Sequence, residues 1–401
     1  MKIALVNAMS SGLDLIDVIK ERGHDLLEVN IGYGENKQDK GHVYANNIEK
    51  ALETLLKLSP DIILPGCERA VSDANYLAHK LGLPHNDIRR QNARKDKALM
   101  IDALVDYGIP AVKSFRITSD NELDHIPALS YPVVVKPVAS SGSDLVKIIK
   151  CQEELIVYLN DIFETNNRWG IKNTSVVVQE FLNGPMYVVN TVSQNGVHLL
   201  TDIYFKDIAY FQGMPLSLSM ILCVELNETL RNIVNYTFDC LDSLGVSTGA
   251  AHTEIILTEN GPRLVEVNSR LMGPAMPSDI FVPALGYSQA SILVDSYNNI
   301  ELFLSMVEKK WKPKMCIAQC QIRPNKDGVI YDMVGLDYIR NLPGFSGFRK
   351  LPYPGMKVQD RFLTTASTGI AYFRHSEPEL IKFSINKLHH LCKTGKVFGI
   401  A

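Results

Sequence analysis

Apolar runs and their spacing divide the chain into short β-like and helix-like pieces. Lys2 to Asn7 is an apolar run of strand length; a small-residue loop, Ala8-Met9-Ser10-Ser11-Gly12, and helical spacing from Leu13 to Lys20 follow it. Strand pattern resumes from Asp25 to Asn30, which makes the opening a βαβ unit. A helix is predicted from about Val43 to Leu58, with Ile48, Leu52, Leu55 and Leu56 on one stripe. Pro60-Asp61-Ile62-Ile63-Leu64-Pro65 reads as a short buried strand ending at Gly66. This is the pattern of an open α/β domain, whose strand C-termini are where such sheets bind ligands.

A basic helical stretch is predicted from Arg89 through Arg94, Lys95 and Lys97 to Val105, stopped by Gly108 and Pro110, with most of its cations on a solvated face. Tyr131 to Val138, the small-residue turn Ala139-Ser140-Ser141-Gly142-Ser143 and Leu145 to Ile149 read as strand, tight turn, strand. A helix from Gln152 to about Glu164 leads to the strand Ser175 to Gln179, the connector Glu180-Phe181-Leu182, and further strands at Met186 to Ser193 and Val197 to Phe205. Leu226, Leu230, Ile233, Val234, Leu241 and Leu244 share a helical face. His252 to Leu257 and Leu264 to Arg270 form a hairpin around Thr258-Glu259-Asn260-Gly261-Pro262, and a helix runs from about Ser288 through Val294. Lys310 to Lys314 reads as a linker before a β-rich segment of ninety or so residues.

Composition narrows the class without choosing a function. With 401 residues, 46% of them hydrophobic and 21% charged, the chain reads as globular with two to three domains. A net charge of −3 gives no basic field for nucleic acid, and no run reaches transmembrane length. The seven cysteines are scattered, without zinc spacing, which fits thiols in a reducing cytoplasm. Cys316 and Cys320 read as structural. For oligomeric state the sequence offers only the general prevalence of homodimers.

Three stretches carry candidate chemistry. In Leu264-Val265-Glu266-Val267-Asn268-Ser269-Arg270, strand alternation places Glu266 and Asn268 on one face and Val265 and Val267 on the other. Pairing with the His252 strand brings Glu254 near Glu266. A carboxylate, an amide and a guanidinium so spaced suit a hard cation carrying an anionic ligand, because Mg²⁺ takes oxygen donors and shares phosphates. An isolated Glu-x-Asn is more often an ordinary strand. Lys136 ends an apolar run, where a buried ammonium is costly without an anion. The Ala139 to Ser143 turn has little side-chain bulk, so its N–H groups can close over phosphates; a plain hairpin turn is the alternative.

Together, from Asn92 to about Leu304, these pieces resemble the ATP-grasp superfamily of carboxylate–amine ligases, and most closely its L-amino-acid (dipeptide) ligase branch. The resemblance implies a mixed α/β and α+β chain: an N-terminal open α/β domain (1–90), an ATP-grasp domain (91–309, with a small lid about 112–185 and a large lobe about 186–309) and a small β-rich C-terminal domain (310–401). It implies ATP and Mg²⁺ or Mn²⁺ as cofactors, small carboxylate and amine substrates, and amide formation through an acyl-phosphate with release of ADP and phosphate. Lys97 and Lys136 match the nucleotide-contacting lysines, and Ala139, Ser140, Ser141, Gly142 and Ser143 the loop over the triphosphate. Glu180, Phe181 and Leu182 match the adenine hinge. Glu254, Glu266 and Asn268 match the metal ligands, and Arg270 the arginine facing the γ-phosphate or acyl-phosphate. His252 matches a substrate-side polar group, with a structural hydrogen bond as its alternative role.

One position departs from the family. Gly184-Pro185-Met186 stands where Gly-x-Glu usually holds the ribose hydroxyls, and a thioether is a weak acceptor. Losing such a charge-assisted hydrogen bond costs about 1.5–3 kcal/mol, roughly ten- to a hundredfold in affinity. The other readings that the sequence leaves are a carboxylase-like or purine-pathway ATP-grasp ligase, and a nucleotide-binding protein without turnover.

Overall fold

In the computed structural model, residues 1–32, 37–39, 41–118, 130–273, 276–358 and 368–401 are described. The N-terminal strands Lys2–Val6, Asp25–Ile31, His42–Ala45 and Ile62–Pro65 are parallel, with Lys37–Asp39 antiparallel at the edge. The segment expected to be one helix from Val43 divides in two. Val43 and Tyr44 pair with Val29 and Asn30 as a strand, and the helix Ile48–Leu58 begins only after Asn47, whose side chain accepts the Lys50 N–H. Two strand-end loops of this sheet touch: a Cβ on Gly12 would lie 2.2 Å from the Gly66 carbonyl oxygen, so both loops are drawn together on the side that faces the site.

The basic stretch after residue 88 is also not one helix. A single turn at Ile88–Arg90 is followed by loop, and the helix Lys97–Asp106 starts where Asp96 accepts the Ala98 and Leu99 N–H groups. Arg94, expected among solvated cations, is buried and donates to the carbonyls of Asp87 and Leu244 at 2.9 Å each. Burial pushes its guanidinium down to about 10. It ties the connector to the end of the helix Glu228–Ser243.

Beyond it lie two sheets. The smaller has four antiparallel strands in the order Ser114–Ile117, Val176–Glu180, Val133–Pro137, Lys147–Ile149, backed by the helix Gln152–Phe163. Val133, Val135, Val176 and Val178 pack there against Leu155, Leu159 and Ile162. The larger has eight strands, ordered Gly261–Asn268, Gly249–Thr258, Met186–Gln194, Val197–Phe211, Met214–Leu222, Cys316–Gln321, Ile370–His375, Phe345–Arg349. The helix Glu228–Ser243 covers one face through Ile233, Cys240 and Leu241, and the helix Ser278–Leu285 packs on the other through Ile280 and Phe281.

The segment after residue 310 extends this sheet. Met214–Leu222, a strand outside those expected although Leu216 to Met220 alternates apolar and Ser positions, pairs with Cys316–Gln321, placing Ser219 opposite Cys320. The same segment carries the helix Pro378–Lys393, packed over the buried Cys316 and Cys320, and a three-stranded sheet of its own.

Candidate active site

The hairpin Gly249–Thr258 and Gly261–Asn268 forms one edge of the large sheet and the floor of a cleft of about 660 Å³, roofed by the small sheet. Pairing sets Glu254 opposite Glu266 and His252 opposite Asn268, so all four share the cleft face. The register slips after Glu254, leaving Val265 as an extra residue. Leu264, not Val265, therefore joins Val267 in the core. The bulge leaves the Val265 carbonyl accessible to Lys136, whose ammonium lies 3.3 Å from it.

Each floor carboxylate is met by a lysine. Lys97, the first residue of the Asp96-capped helix, lies 3.0 Å from Glu266 Oε1 and donates to the Ser140 carbonyl at 2.9 Å. Lys206, on the strand Val197–Phe211, lies 2.6 Å from Glu254 Oε1. Burial would raise the Glu254 carboxyl, but the Lys206 ammonium and His252 outweigh it and hold the group well below the usual carboxylate range. Burial, with Lys97 adding repulsion, pushes the Lys136 ammonium down to about 8. Among the described residues the cleft lining carries seven cations, Lys97, Lys136, Arg168, Lys206, Arg270, Arg323 and Lys350, against five carboxylates, Asp144, Glu180, Asp207, Glu254 and Glu266. That balance favours an anionic ligand.

Next to Glu254, His252, Asn190 and Asp202 form a hydrogen-bonded chain. His252 Nε2 lies 3.6 Å from Glu254 Oε1, and its Nδ1 lies 3.0 Å from Asn190 Oδ1, while Asn190 Nδ2 donates to the buried Asp202. Because Asn190 uses its nitrogen on Asp202, its oxygen accepts from His252 Nδ1–H. Burial pushes the imidazole down, towards its neutral form. Beyond the strand, Arg270 Nε lies 2.7 Å from Glu68 Oε2. With the Asn268 amide turned to satisfy its neighbours, its nitrogen donates to the two Glu68 oxygens at 2.9 and 3.3 Å.

The remaining expected residues, Ala139 excepted, line the same cleft. Ala139 to Ser143 connect the strands Val133–Pro137 and Lys147–Ile149, with Ser143 in the left-handed region at φ 57° and Ser140 Oγ donating to Asp144 at 2.7 Å. Glu180 ends the strand Val176–Glu180, its N–H donating to the Lys113 carbonyl, and Phe181 meets Tyr210 edge-on. Leu182 follows in the wall, and the buried Met186 pairs with Ile256 on one side and Lys206 on the other. Lys206, Glu68, Asn190 and Asp202 had no assigned role in the sequence reading. Lys206 is the lone cation after the apolar Tyr204-Phe205, and Glu68 follows the strand end at Pro65-Gly66, where an open sheet binds ligands; both signals were present.

Glu254, Glu266 and Asn268 fit a hard divalent cation: oxygen donors, in register, on one cleft face. Among the described residues no group of three or more His, Cys, Asp or Glu could hold a metal by itself.

Residues 129–279 match the ATP-grasp domain family. The chain is 29% identical over 316 residues to dapdiamide A synthase of Enterobacter agglomerans, covering 75% of this chain and 74% of that protein. It is 23% identical over 289 residues to a D-alanine–D-alanine ligase of Gluconobacter oxydans, covering 69% and 87%. The L-amino acid ligase structure from Bacillus licheniformis superposes with a TM-score of 0.80 at 18% identity, over 100% of this chain and 98% of that one.

Proposed function

We propose that this chain, an ATP-grasp protein, is an ADP-forming ligase that activates an amino acid or similar small carboxylate and joins it to an amine. The observation that carries the reading is the facing pair Glu254 and Glu266, each held by a lysine inside a cleft between two sheets, with Arg270 just beyond. A polyphosphate entering there exchanges partners with the wall: its oxygens take the lysines, and the freed carboxylates, with Asn268, hold Mg²⁺ or Mn²⁺. The bound cation supplies charge neutralisation for phosphoryl transfer.

The protein's own groups supply the rest. A carboxylate is a poor electrophile, so phosphorylation by ATP converts it to an acyl-phosphate and ADP. Lys136 and Lys97 offset the charge on the transferred phosphoryl group. Arg270, oriented by Glu68, faces the acyl-phosphate and stabilises the oxyanion formed when the amine attacks; phosphate then leaves. His252, anchored through Asn190 to Asp202, is a polar group on the substrate side of the cleft. Ala139 to Ser143 cover the phosphates and exclude water, which would hydrolyse the intermediate. Glu180, Phe181 and Leu182 hold the base. Met186 leaves the ribose without the family's carboxylate. We divide the chain at residues 90 and 309, with the strands after 310 joining the large sheet, and assign it to the cytoplasm; seven free cysteines support a reducing compartment. No helix among the described residues is long and apolar enough to cross a membrane.

The test is phosphate release across pairs of amino acids, with mass detection of the condensed product. Release that needs both partners supports the reading. Release with bicarbonate or formate moves the protein to the carboxylase-like or purine-pathway class. ATP binding without ADP from any pair makes it a binding protein.

A further inference from the structure

The connection from the helix Gln152–Phe163 to the strand Val176–Glu180 contains Asn166-Asn167-Arg168-Trp169-Gly170, to which the mechanism above gives no role. It is a tightly bonded strap. The buried Asn167 accepts the Trp169 and Ile171 N–H groups on Oδ1 and donates through Nδ2 to the Ala139 carbonyl, the first residue of the phosphate loop. Asn173 Nδ2 closes the other end on Ile162 and Thr165. Asp144, at the far side of the loop, accepts both the Arg168 N–H at 2.7 Å and Ser140 Oγ at 2.7 Å. Strap and loop are therefore joined at two places, and the Arg168 backbone is fixed relative to the loop.

Its side chain is placed differently. The guanidinium lines the cleft and donates at 3.1 Å to the Ser141 carbonyl, a neutral partner rather than a carboxylate. It reaches there over Gly142, which has φ +69° and whose Cβ, if present, would lie 2.2 Å from Arg168 Nη1. A charge held by one carbonyl, on an exposed side chain, exchanges that partner for a phosphate oxygen at little cost, because charge-assisted hydrogen bonds to anions are the stronger ones.

We propose that Arg168 is a further nucleotide-binding residue, which clasps the loop through the Ser141 carbonyl and turns onto the terminal phosphate when ATP is bound. The proposal rests on the cleft being an ATP site, as argued above. Gly142 leaves the room that the guanidinium occupies. The ligand contact belongs to the terminal phosphate, so ATP, ADP and adenosine must respond unequally.

The experiment is calorimetric titration of the full chain with Mg²⁺–ATP, ADP and adenosine, in wild type, Arg168→Ala, Gly142→Ala and the double variant. Arg168→Ala is expected to weaken ATP about tenfold, ADP less, and adenosine not at all. Gly142→Ala, which displaces the guanidinium, is expected to weaken ATP similarly, and the double variant to lose little more than either single one. Equal affinity of Arg168→Ala and wild type for ATP overturns the proposal. So does an equal loss for all three ligands, which makes Arg168 a support for the loop alone. Additive losses in the double variant overturn the coupling through Gly142. A wild type that binds adenosine but not ATP, or neither, removes the ATP reading itself and the proposal with it.

Discussion

The floor of the cleft and its roof are both antiparallel sheet, yet they present their polar groups in different ways. On the floor, side chains do the work: cross-strand register sets Glu254 against Glu266 and His252 against Asn268, and packing of Leu264, Val267 and Ile255 beneath them leaves little freedom. On the roof, beside the Lys136 side chain, backbone groups predominate, in a loop where Gly142 and Ser143 adopt positive φ and Ser140, Ser141 and Ala139 offer carbonyls to Lys97, Arg168 and Asn167. A floor of side chains is specific and rigid. A roof of backbone groups adapts its shape around a ligand, and it is tied down by contacts that a ligand can replace.

The largest effect is expected from neutralising a floor carboxylate. Glu266→Gln and Glu254→Gln each keep shape and remove charge, and turnover measured as ADP formation is expected to fall by about 10²–10³-fold or more. The fold is expected to persist, since both side chains face the cleft rather than the core. Near-wild-type turnover in either variant would remove the floor from the chemistry.

The contrast also explains what could be read from the sequence. Side chains on a strand obey a period of two, so Glu254, Glu266 and Asn268 were visible as a set before any coordinates were considered. Lys136 is legible from the apolar run that it ends, whereas Lys97 and the hinge take their roles only from the resemblance. The bulge at Val265 was not visible, because a one-residue slip leaves the composition of the strand unchanged. Glu68 and Lys206 were passed over because each acts through a partner about 200 and 48 positions away. The Asn167–Arg168 strap has no periodicity at all; its geometry is made of side-chain-to-backbone bonds that no local pattern encodes. In the fold, the merged helix at Val43 and the extended basic helix share one cause: capping residues, Asn47 and Asp96, decide where a helix starts, and both lie inside otherwise helix-compatible runs.

A second prediction tests how rigid the floor is below its surface. Asp202 is buried, and burial raises its carboxyl to about 6, against the Asn190 N–H that lowers it. A carboxyl raised on folding favours the native state below its unfolded value near 4, and that contribution is lost as pH climbs through 6. Above that, the native protein carries a buried charge. Asp202→Asn removes the charge and keeps an acceptor for Asn190. It is therefore expected to gain about 2–3 kcal/mol over wild type at pH 7 and to converge with it near pH 4, by urea unfolding at both pH values. A difference between the two proteins that does not change with pH would rule out Asp202 as an ionised group under the floor.

The smallest effect lies where floor and roof meet. Lys136 belongs to the roof strand Val133–Pro137 but donates to the floor at the Val265 carbonyl, so it is the residue through which the two regions sense each other. Burial and Lys97 push its ammonium down to about 8, while Glu266 and Glu254 pull the other way. It is charged below that value and neutral above it. Since kcat/KM reports the free enzyme, its value for ATP is expected to hold up to about pH 8 and then to fall by about tenfold per pH unit. Lys136→Arg keeps a charge at every pH used; whatever its plateau, its profile is expected to stay flat between pH 8 and pH 9. A profile in that variant that still falls like wild type would move the titration to another group, and the seam between floor and roof would then depend on the Val265 carbonyl rather than on charge.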